Sequence, residues 1–439
     1  LNFRQIYTIG VAEKNSIYEE DLYLLEANNI KLYNASIASE FQIIPPVNYY
    51  DLFPQAKVYP RLLIIDMTRM GGITATGQIK TTLFAQWPQE DLLQIYSRSE
   101  TGFGLYTPGS FIEDDREYTN SQEVLEQCLS FKPDLVYYRP VADRPFLDTF
   151  AQNAIAQLQV PVISHIMDDW PDRLAHQNPE LASQFNISLK SLLDRSAARL
   201  SICSAMSRAF QERYNLDFVP IANCIDIEEW VKIKRRVEET KPKQSSFTLR
   251  YVGGLADDMN FTSIQEIAGE VAALHSELGI KLEIYTMPHW KEKAVGVFGN
   301  LAGVSIHDAN LSPNDYAELL ASSDALIVAY NFDAESIRYV RYSMANKLPE
   351  CMAAGVPLLI YGPMEVATVA YAVDTQAVVA VIDRDPRKIQ AALKKLVLET
   401  DECRKLAQKA RHFAFSRRNH AYTRSQLVRI CRKAVIDNY

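Results

Sequence analysis

Ser343-Met-Ala-Asn-Lys-Leu-Pro-Glu-Cys-Met-Ala-Ala-Gly-Val-Pro357 sets a lysine, Lys347, and a carboxylate, Glu350, on one short helical turn ahead of Gly355. The apolar residues 356–361 that follow read as a strand. Ala325-Leu-Ile-Val-Ala-Tyr330, upstream, reads as a second, buried one. The charged pair therefore lies where a strand gives way to a helix, in the crevice where open α/β sheets bind ligands. An ammonium there can face a diphosphate, and a carboxylate can accept from ribose hydroxyls. Cys351, inside the stretch, reads as a small buried residue.

Outward from this segment, apolar runs alternate with helical patterns. Strands are expected at 247–252, 282–286, 304–307, 325–330, 357–361 and 377–382, with a helix over 261–278. Ser312-Pro313 and Asp385-Pro386 each announce a helix, as an N-cap followed by proline at the first helical position. An earlier block has the same grammar. Leu62-Leu-Ile-Ile-Asp66 is an apolar run, and Ile79, Leu83, Phe84 and Trp87 share one helical face. Strands follow at 92–96, 135–138, 160–166, 199–203 and 218–222, separated by helices such as 146–158 and 204–214. Each block opens with a strand and a glycine pair, Gly71-Gly72 and Gly253-Gly254, where backbone can approach a ligand closely. The pattern implies βαβ units and two Rossmann-like domains facing one another across a cleft.

The segments outside these blocks differ in character. Residues 1–58 mix polar and aromatic side chains and read as an N-terminal extension without an assignable role. The charged stretch Val231-Lys-Ile-Lys-Arg-Arg-Val-Glu-Glu-Thr-Lys-Pro-Lys-Gln-Ser-Ser246 reads as a solvated linker between the domains. Leu427, Ile430, Val435 and Ile436 imply a terminal helix that braces the first domain. The expected division is thus an extension over 1–58, a first domain over 59–231, a linker over 232–246, a second domain over 247–415, and a returning helix over 416–439.

Composition narrows the function. The chain has 439 residues, 48% of them hydrophobic and 23% charged, which is ample for two or three globular domains. A net charge of -8 argues against a nucleic-acid surface as the main partner. The six cysteines form no C-x-x-C pair, which suggests neither a zinc site nor a redox dithiol and fits a reducing compartment. No apolar run reaches the roughly 18 residues of a membrane span, and no secretory leader is visible. Neither a G-x-S-x-G elbow nor a P-loop occurs. Asp383-Arg-Asp385 has D-x-D spacing, but Asp385 before Pro386 makes sense as a helix cap, so no metal is expected there.

The chain resembles the GT-B glycosyltransferases, in particular the large retaining class known as family 4, over about 61–439. Lys347-Leu-Pro-Glu-Cys-Met-Ala-Ala-Gly-Val-Pro357 is similar to that family's donor-site segment, K-L-x-E-x-M-A-x-G-x-P. Within 216–230, Phe-Val-Pro-Ile-Ala-Asn-Cys-Ile-Asp-Ile-Glu-Glu-Trp230 is similar to its I-x-N-G-I-D segment, with Cys224 in place of glycine. Ser204-Ala-Met resembles its S-x-A-M helix start, and Asp168-Asp-Trp-Pro171 its D-x-W-P turn at the cleft edge.

The resemblance implies a retaining, metal-independent transfer of a sugar from a nucleotide diphosphate sugar, with no resident cofactor. The acceptor would be a glycan, a lipid-linked sugar or a small molecule. The expected setting is the cytoplasm, with room for peripheral contact at the inner face of a membrane. It places Glu350 on the donor ribose and Lys347 near the diphosphate, with Gly253, Gly254, Arg338, Arg341 and Ser343 as further donor-site residues. Asp168 and Glu335 are the candidate catalytic groups. Gly71, Gly72, Asp169 and Trp170 are candidates for the acceptor side. His165, inside an apolar strand, reads as a core residue.

Three departures stand out. Tyr342 occupies the place of the family's first glutamate. Gly253-Gly-Leu-Ala-Asp-Asp-Met-Asn260 lacks the Arg and Lys of the family's G-R-x-x-x-x-K-G. Met167 stands where a histidine or arginine is usual. Two other readings remain open at this point: an epimerase or hydrolase of nucleotide sugars, and a catalytically silent binding module.

Overall fold

The computed structural model describes residues 59–72, 75–108, 116–240 and 246–437. The expected extension over 1–58 lies outside the described residues. Two parallel sheets organise the chain. The first holds β1 (Leu62–Asp66), β2 (Leu92–Ser97), β3 (Phe103–Tyr106), β4 (Leu135–Tyr138), β5 (Val162–Ile166), β6 (Ala198–Ser201) and β7 (Val219–Pro220). Their order is β3-β2-β1-β4-β5-β6-β7, and β3 alone runs antiparallel, against β2. The second holds β8 (Phe247–Val252), β9 (Ile280–Thr286), β10 (Val304–Asp308), β11 (Ala325–Ala329), β12 (Leu358–Tyr361) and β13 (Val379–Val381), in the order β10-β9-β8-β11-β12-β13.

The central strands β1, β4, β11 and β12 are buried along their whole length, as sheets covered by helices on both faces require. In each sheet the strand order reverses once, between β1 and β4 and between β8 and β11. Such reversals open a crevice at the carboxyl ends of the strands. Both crevices hold charged side chains.

The stretch expected as a solvated linker is instead helical over Ile227–Thr240. Asp226 Oδ1 accepts from the Glu229 N–H at 3.2 Å, which caps the start, and Glu228 and Glu229 suit the first turn. Trp230, Ile233 and Val237 form a narrow buried stripe, with charges on the other faces. The helix packs on Pro313–Ser322 of the second domain.

The chain crosses between the domains twice. Ile225 and Asn419 form a parallel bridge where the crossings meet. The Ile225 N–H donates to the Arg418 carbonyl at 2.8 Å, and the His420 N–H donates to the Ile225 carbonyl at 2.9 Å. Beyond this bridge, His420–Ile436 packs Leu427, Val428, Cys431 and Ala434 against Ile79, Leu83 and Phe84 of the first domain. Each such Val or Leu contributes about 1.5–3 kcal/mol when fully buried.

Candidate active site

In the second domain the site forms where β8 ends. Gly253 has φ +146°, and a Cβ added there would sit 3.0 Å from Lys347 Nζ, so glycine is the residue that fits. The loop after it is held by Asn260, whose Nδ2 donates to Tyr251 Oη at 2.7 Å and to the Gly254 carbonyl at 3.1 Å. Tyr251 Oη donates to the same carbonyl at 2.6 Å. A side chain at Gly254 would meet open space, so the backbone there is approachable.

Lys347 reaches this turn from the foot of the helix Leu348–Ala353. Its Nζ donates to the Val252 carbonyl at 3.0 Å and lies 3.8 Å from the centre of the Tyr251 ring. Burial lowers its pKa to about 8. Glu350 faces elsewhere: Tyr316 Oη donates to Glu350 Oε2 at 3.0 Å. Burial pushes its carboxyl up to about 7, against the Tyr316 hydrogen bond and with help from the Glu229 charge. The two residues are therefore separate tools, one cationic at the switch crevice and one carboxyl on the next helical turn. Tyr316 was not singled out in the sequence, because its register with Glu350 depends on how two helices pack.

The other donor-side candidates lie on the segment 334–343 that leads into this pair. Arg338 belongs to the helix Ala334–Val340 and is half-buried, and Arg341 follows it, exposed. Neither guanidinium has a hydrogen-bond or ion-pair partner among the described residues. Ser343 is anchored through its carbonyl, which accepts from Thr368 Oγ1 at 2.8 Å. Glu335 lies exposed in the first turn of Ala334–Val340, and Asp333 caps that helix by accepting from the Ser336 N–H at 2.8 Å.

The first domain presents a different chemistry. Asp168 accepts from Arg139 Nη2 at 2.7 Å. Arg139 Nη1 lies 3.5 Å from Asp66 Oδ1, and Lys80 Nζ lies 2.8 Å from Asp66 Oδ2. Burial raises the Asp66 carboxyl, but Lys80 and Arg139 outweigh it and hold the group below the usual carboxylate range. Asp66, Lys80 and Arg139 were not expected at the site. Asp66 ends one apolar strand and Arg139 directly follows another, which is the signal that could have drawn attention to them.

Asp169 is committed to the scaffold. Its carboxylate takes both Arg213 amino groups, at 2.6 and 2.8 Å, and caps the helix Trp170–Gln177. Trp170 is buried, and the Arg173 guanidinium lies over its ring at 4.8 Å. The Gly71 N–H donates to Thr81 Oγ1 at 2.8 Å, and the Gly72 carbonyl accepts from Gln78 Nε2 at 2.8 Å, so this loop is tied to the helix after it. His165 is a core residue, bonded to Tyr137 Oη, with its pKa lowered to about 3 by burial. Asp383 pairs with Lys388, and Asp385 pairs with Arg387 at 2.9 Å. Among the described residues no cluster of His, Cys, Asp or Glu is arranged to hold a metal ion, and no helix is long and apolar enough to cross a membrane.

Several contacts join the two faces. Arg173 of the first domain also lies 4.3 Å over the ring of Tyr339 of the second. Cys203 Sγ donates to the Tyr342 carbonyl at 3.3 Å, and Asn223 Nδ2 donates to the Asn346 carbonyl. The segment leading into Lys347 is thus held by the first domain.

Known proteins repeat this plan. Residues 268–428 match the family described as glycosyl transferase-like. HepE from Anabaena, in a crystal structure with UDP and glucose, superposes with a TM-score of 0.61 at 12% identity, over 84% of this chain and 99% of that one. The α,α-trehalose 6-phosphate synthase from Burkholderia multivorans gives 0.62 at 11% identity, over 87% and 100%. Sucrose-phosphate synthase from Thermosynechococcus elongatus gives 0.57 at 11%, over 85% and 98%. No curated protein sequence matches the chain. The fold is GT-B. Residues 268–428, which include most of the second domain, are glycosyl transferase-like in sequence.

Proposed function

We propose that the protein transfers a sugar from a uridine diphosphate sugar to a hydroxyl acceptor held against the first domain. The observation that carries this reading is the Lys347 ammonium at the β8 end, in the switch crevice, beside an approachable glycine turn. It supplies a cation where the sequence of the turn itself has none. Glu350 is the acceptor for ribose hydroxyls. The choice of uridine is supported by the UDP bound to HepE.

In the transfer, the bond from the anomeric carbon to the diphosphate breaks, and the acceptor oxygen forms the new bond and gives its proton to an oxygen of the departing diphosphate. Negative charge grows on the departing diphosphate, and fixed cations stabilise it best when water is excluded. Lys347, Arg338 and Arg341 are the groups assigned to that charge, in place of a metal. Asp168, at the edge of the first domain, accepts a hydrogen bond from the acceptor hydroxyl. Retention of the anomeric configuration is supported by the similarity of 347–357 to the donor segment of retaining enzymes. The six free cysteines suit the reducing cytoplasm, where the acceptor is a glycan or a lipid-linked sugar.

Thermal unfolding in UDP, GDP and ADP, and in their sugars, tests the reading. A ligand at about 100 times its Kd adds ~2.7 kcal/mol to stability. UDP and a UDP-sugar are expected to raise the midpoint and the other bases to do less. A protein indifferent to every nucleotide would be a silent member of the fold. Release of UDP that needs no acceptor other than water would mark a hydrolase.

A further inference from the structure

Asp66 and Arg139 occupy the switch crevice of the first sheet. Ile65 and Tyr138 are in register across β1 and β4, and the residues after them are these two. The Arg139 N–H also donates to the Ile65 carbonyl at 3.1 Å, which ties the two strand ends together. Lys80 stands behind Asp66, and its Nζ also donates to Thr68 Oγ1 at 2.6 Å. Exposure rises along the chain of charges. The side chains of Lys80 and Asp66 are 0% exposed, that of Arg139 7%, and that of Asp168 40%. Three of the four are sealed in the core, and the fourth opens on the cleft.

Burying charges in this way is expensive. Well-packed apolar side chains of similar size are often as stabilising or more so. The arrangement accordingly needs a purpose other than stability, and its geometry supplies one. The two terminal nitrogens of one planar guanidinium face two carboxylates, Nη1 towards Asp66 and Nη2 towards Asp168. The ion pair to Asp66 at 3.5 Å holds the buried end, and the hydrogen bond to Asp168 at 2.7 Å is made at the exposed end. Lysine, a single point charge on a flexible stem, cannot span both. Arg139 Nε and Nη1 make no hydrogen bond with described residues, so the bond to Asp168 is the one the guanidinium makes best.

We propose that Arg139 is a positioning residue for the acceptor: anchored by the buried Lys80–Asp66 pair, it holds the Asp168 carboxylate in the orientation that receives the acceptor hydroxyl. This rests on the reading of the protein as a UDP-sugar transferase with Asp168 at its acceptor edge. Arg139 itself touches neither substrate.

The test compares the wild type with Arg139→Met, Arg139→Lys, Asp168→Asn and the double variant Arg139→Met/Asp168→Asn. UDP binding is measured by calorimetry. Turnover is followed as UDP release from UDP-glucose, UDP-galactose and UDP-N-acetylglucosamine, with D-glucose as the probe acceptor. Methionine at 139 leaves Asp66 its Lys80 partner. If that variant nonetheless fails to fold, Arg139→Lys carries the same comparison. The expected result is unchanged UDP affinity in every variant, with kcat down about 100-fold in Arg139→Met, as for a displaced catalytic contact. Arg139→Lys recovers part of it. The double variant is no slower than Asp168→Asn alone, because Arg139 acts only through Asp168.

Losses that multiply in the double variant would overturn the proposal, as would full turnover in Arg139→Met or a UDP affinity that falls in step with kcat. A wild type that binds UDP yet turns over none of the donors would also overturn it, since water and glucose both offer a hydroxyl. A wild type that binds no UDP refutes the donor reading first, before any variant is compared.

Discussion

Lys347 Nζ donates to the carbonyl of Val252 at 3.0 Å, so a residue of the 343–357 segment closes over the end of β8. The G-R-x-x-x-x-K-G pattern of the enzymes that the chain resembles places its cations on the turn itself. In this chain the turn is Gly253-Gly-Leu-Ala-Asp-Asp-Met-Asn260, and the ammonium arrives from across the crevice. In the proposed donor site this ammonium takes the place of the Arg and Lys that the turn lacks.

Position 253 is expected to be as sensitive as 347. A Cβ there would lie 3.0 Å from Lys347 Nζ at a φ of +146° that alanine resists. Lys347→Met removes a charge-assisted contact worth about 1.5–3 kcal/mol, or roughly 10- to 100-fold in UDP affinity. Gly253→Ala is expected to produce a loss of the same order by displacing the ammonium. Isothermal titration with UDP measures both, and wild-type affinity in Gly253→Ala would show that the ammonium and the turn are independent.

The pH dependence follows from two shifts of opposite kind. Glu350 titrates near 7, above the usual carboxylate range, so the fold favours its protonated form. That contribution to stability is complete at low pH and is lost as pH rises towards 7. Lys347 titrates near 8, below the usual lysine range, so the fold favours its neutral form. That contribution is present at high pH and is lost as pH falls through 8. Nucleotide binding needs the opposite states, a carboxylate and an ammonium. The stabilisation by UDP is therefore expected to peak between about pH 7 and 8, where these two groups support the empty protein least. Thermal midpoints with and without UDP at about pH 5.5, 7.5 and 9.5 check this, and a flat difference across them contradicts it.

The Arg173 guanidinium, over Trp170 on one side and Tyr339 on the other, joins the domains beside the cleft. Such contacts contribute about 0.5–2 kcal/mol each. Arg173→Ala is expected to leave UDP affinity within a few-fold while weakening the closed arrangement. Small-angle scattering in saturating UDP should show a larger radius of gyration for the variant than for the wild type. Identical radii would remove Arg173 from the account of closure.

Lys80→Met tests the buried root of the acceptor edge. It leaves the Asp66 carboxylate sealed in the core, with hydrogen bonds from Thr68 and, as its remaining cation, the Arg139 guanidinium at 3.5 Å. Breaking a buried pair by removing one partner costs about 3–5 kcal/mol. Urea unfolding should show a loss of that order, and a change below about 1 kcal/mol would mean that Asp66 takes up a proton or is reached by water.

Much of the fold could be read from periodicity. Leu135–Tyr138, Ser204–Tyr214 and Phe261–Leu278 follow directly from apolar runs and capping patterns. Phe103–Tyr106 did not, because an antiparallel edge strand of four residues, partly exposed, carries little apolar signal. Ile227–Thr240 was obscured for another reason. Its buried stripe is Trp230, Ile233 and Val237, and the charges between them give the composition of a linker. At the site, Lys347 and Glu350 stood out because they share one short motif. Their partners Val252 and Tyr316, and the chain from Lys80 through Asp66 and Arg139 to Asp168, join distant segments that only the packed sheets bring together.

The most direct test of the donor site is calorimetric titration of UDP into the wild type and into Glu350→Ala, with circular dichroism to confirm that both are folded. The account predicts saturable binding to the wild type and none measurable to the variant at the same concentrations. Equal affinity in the two proteins would contradict it.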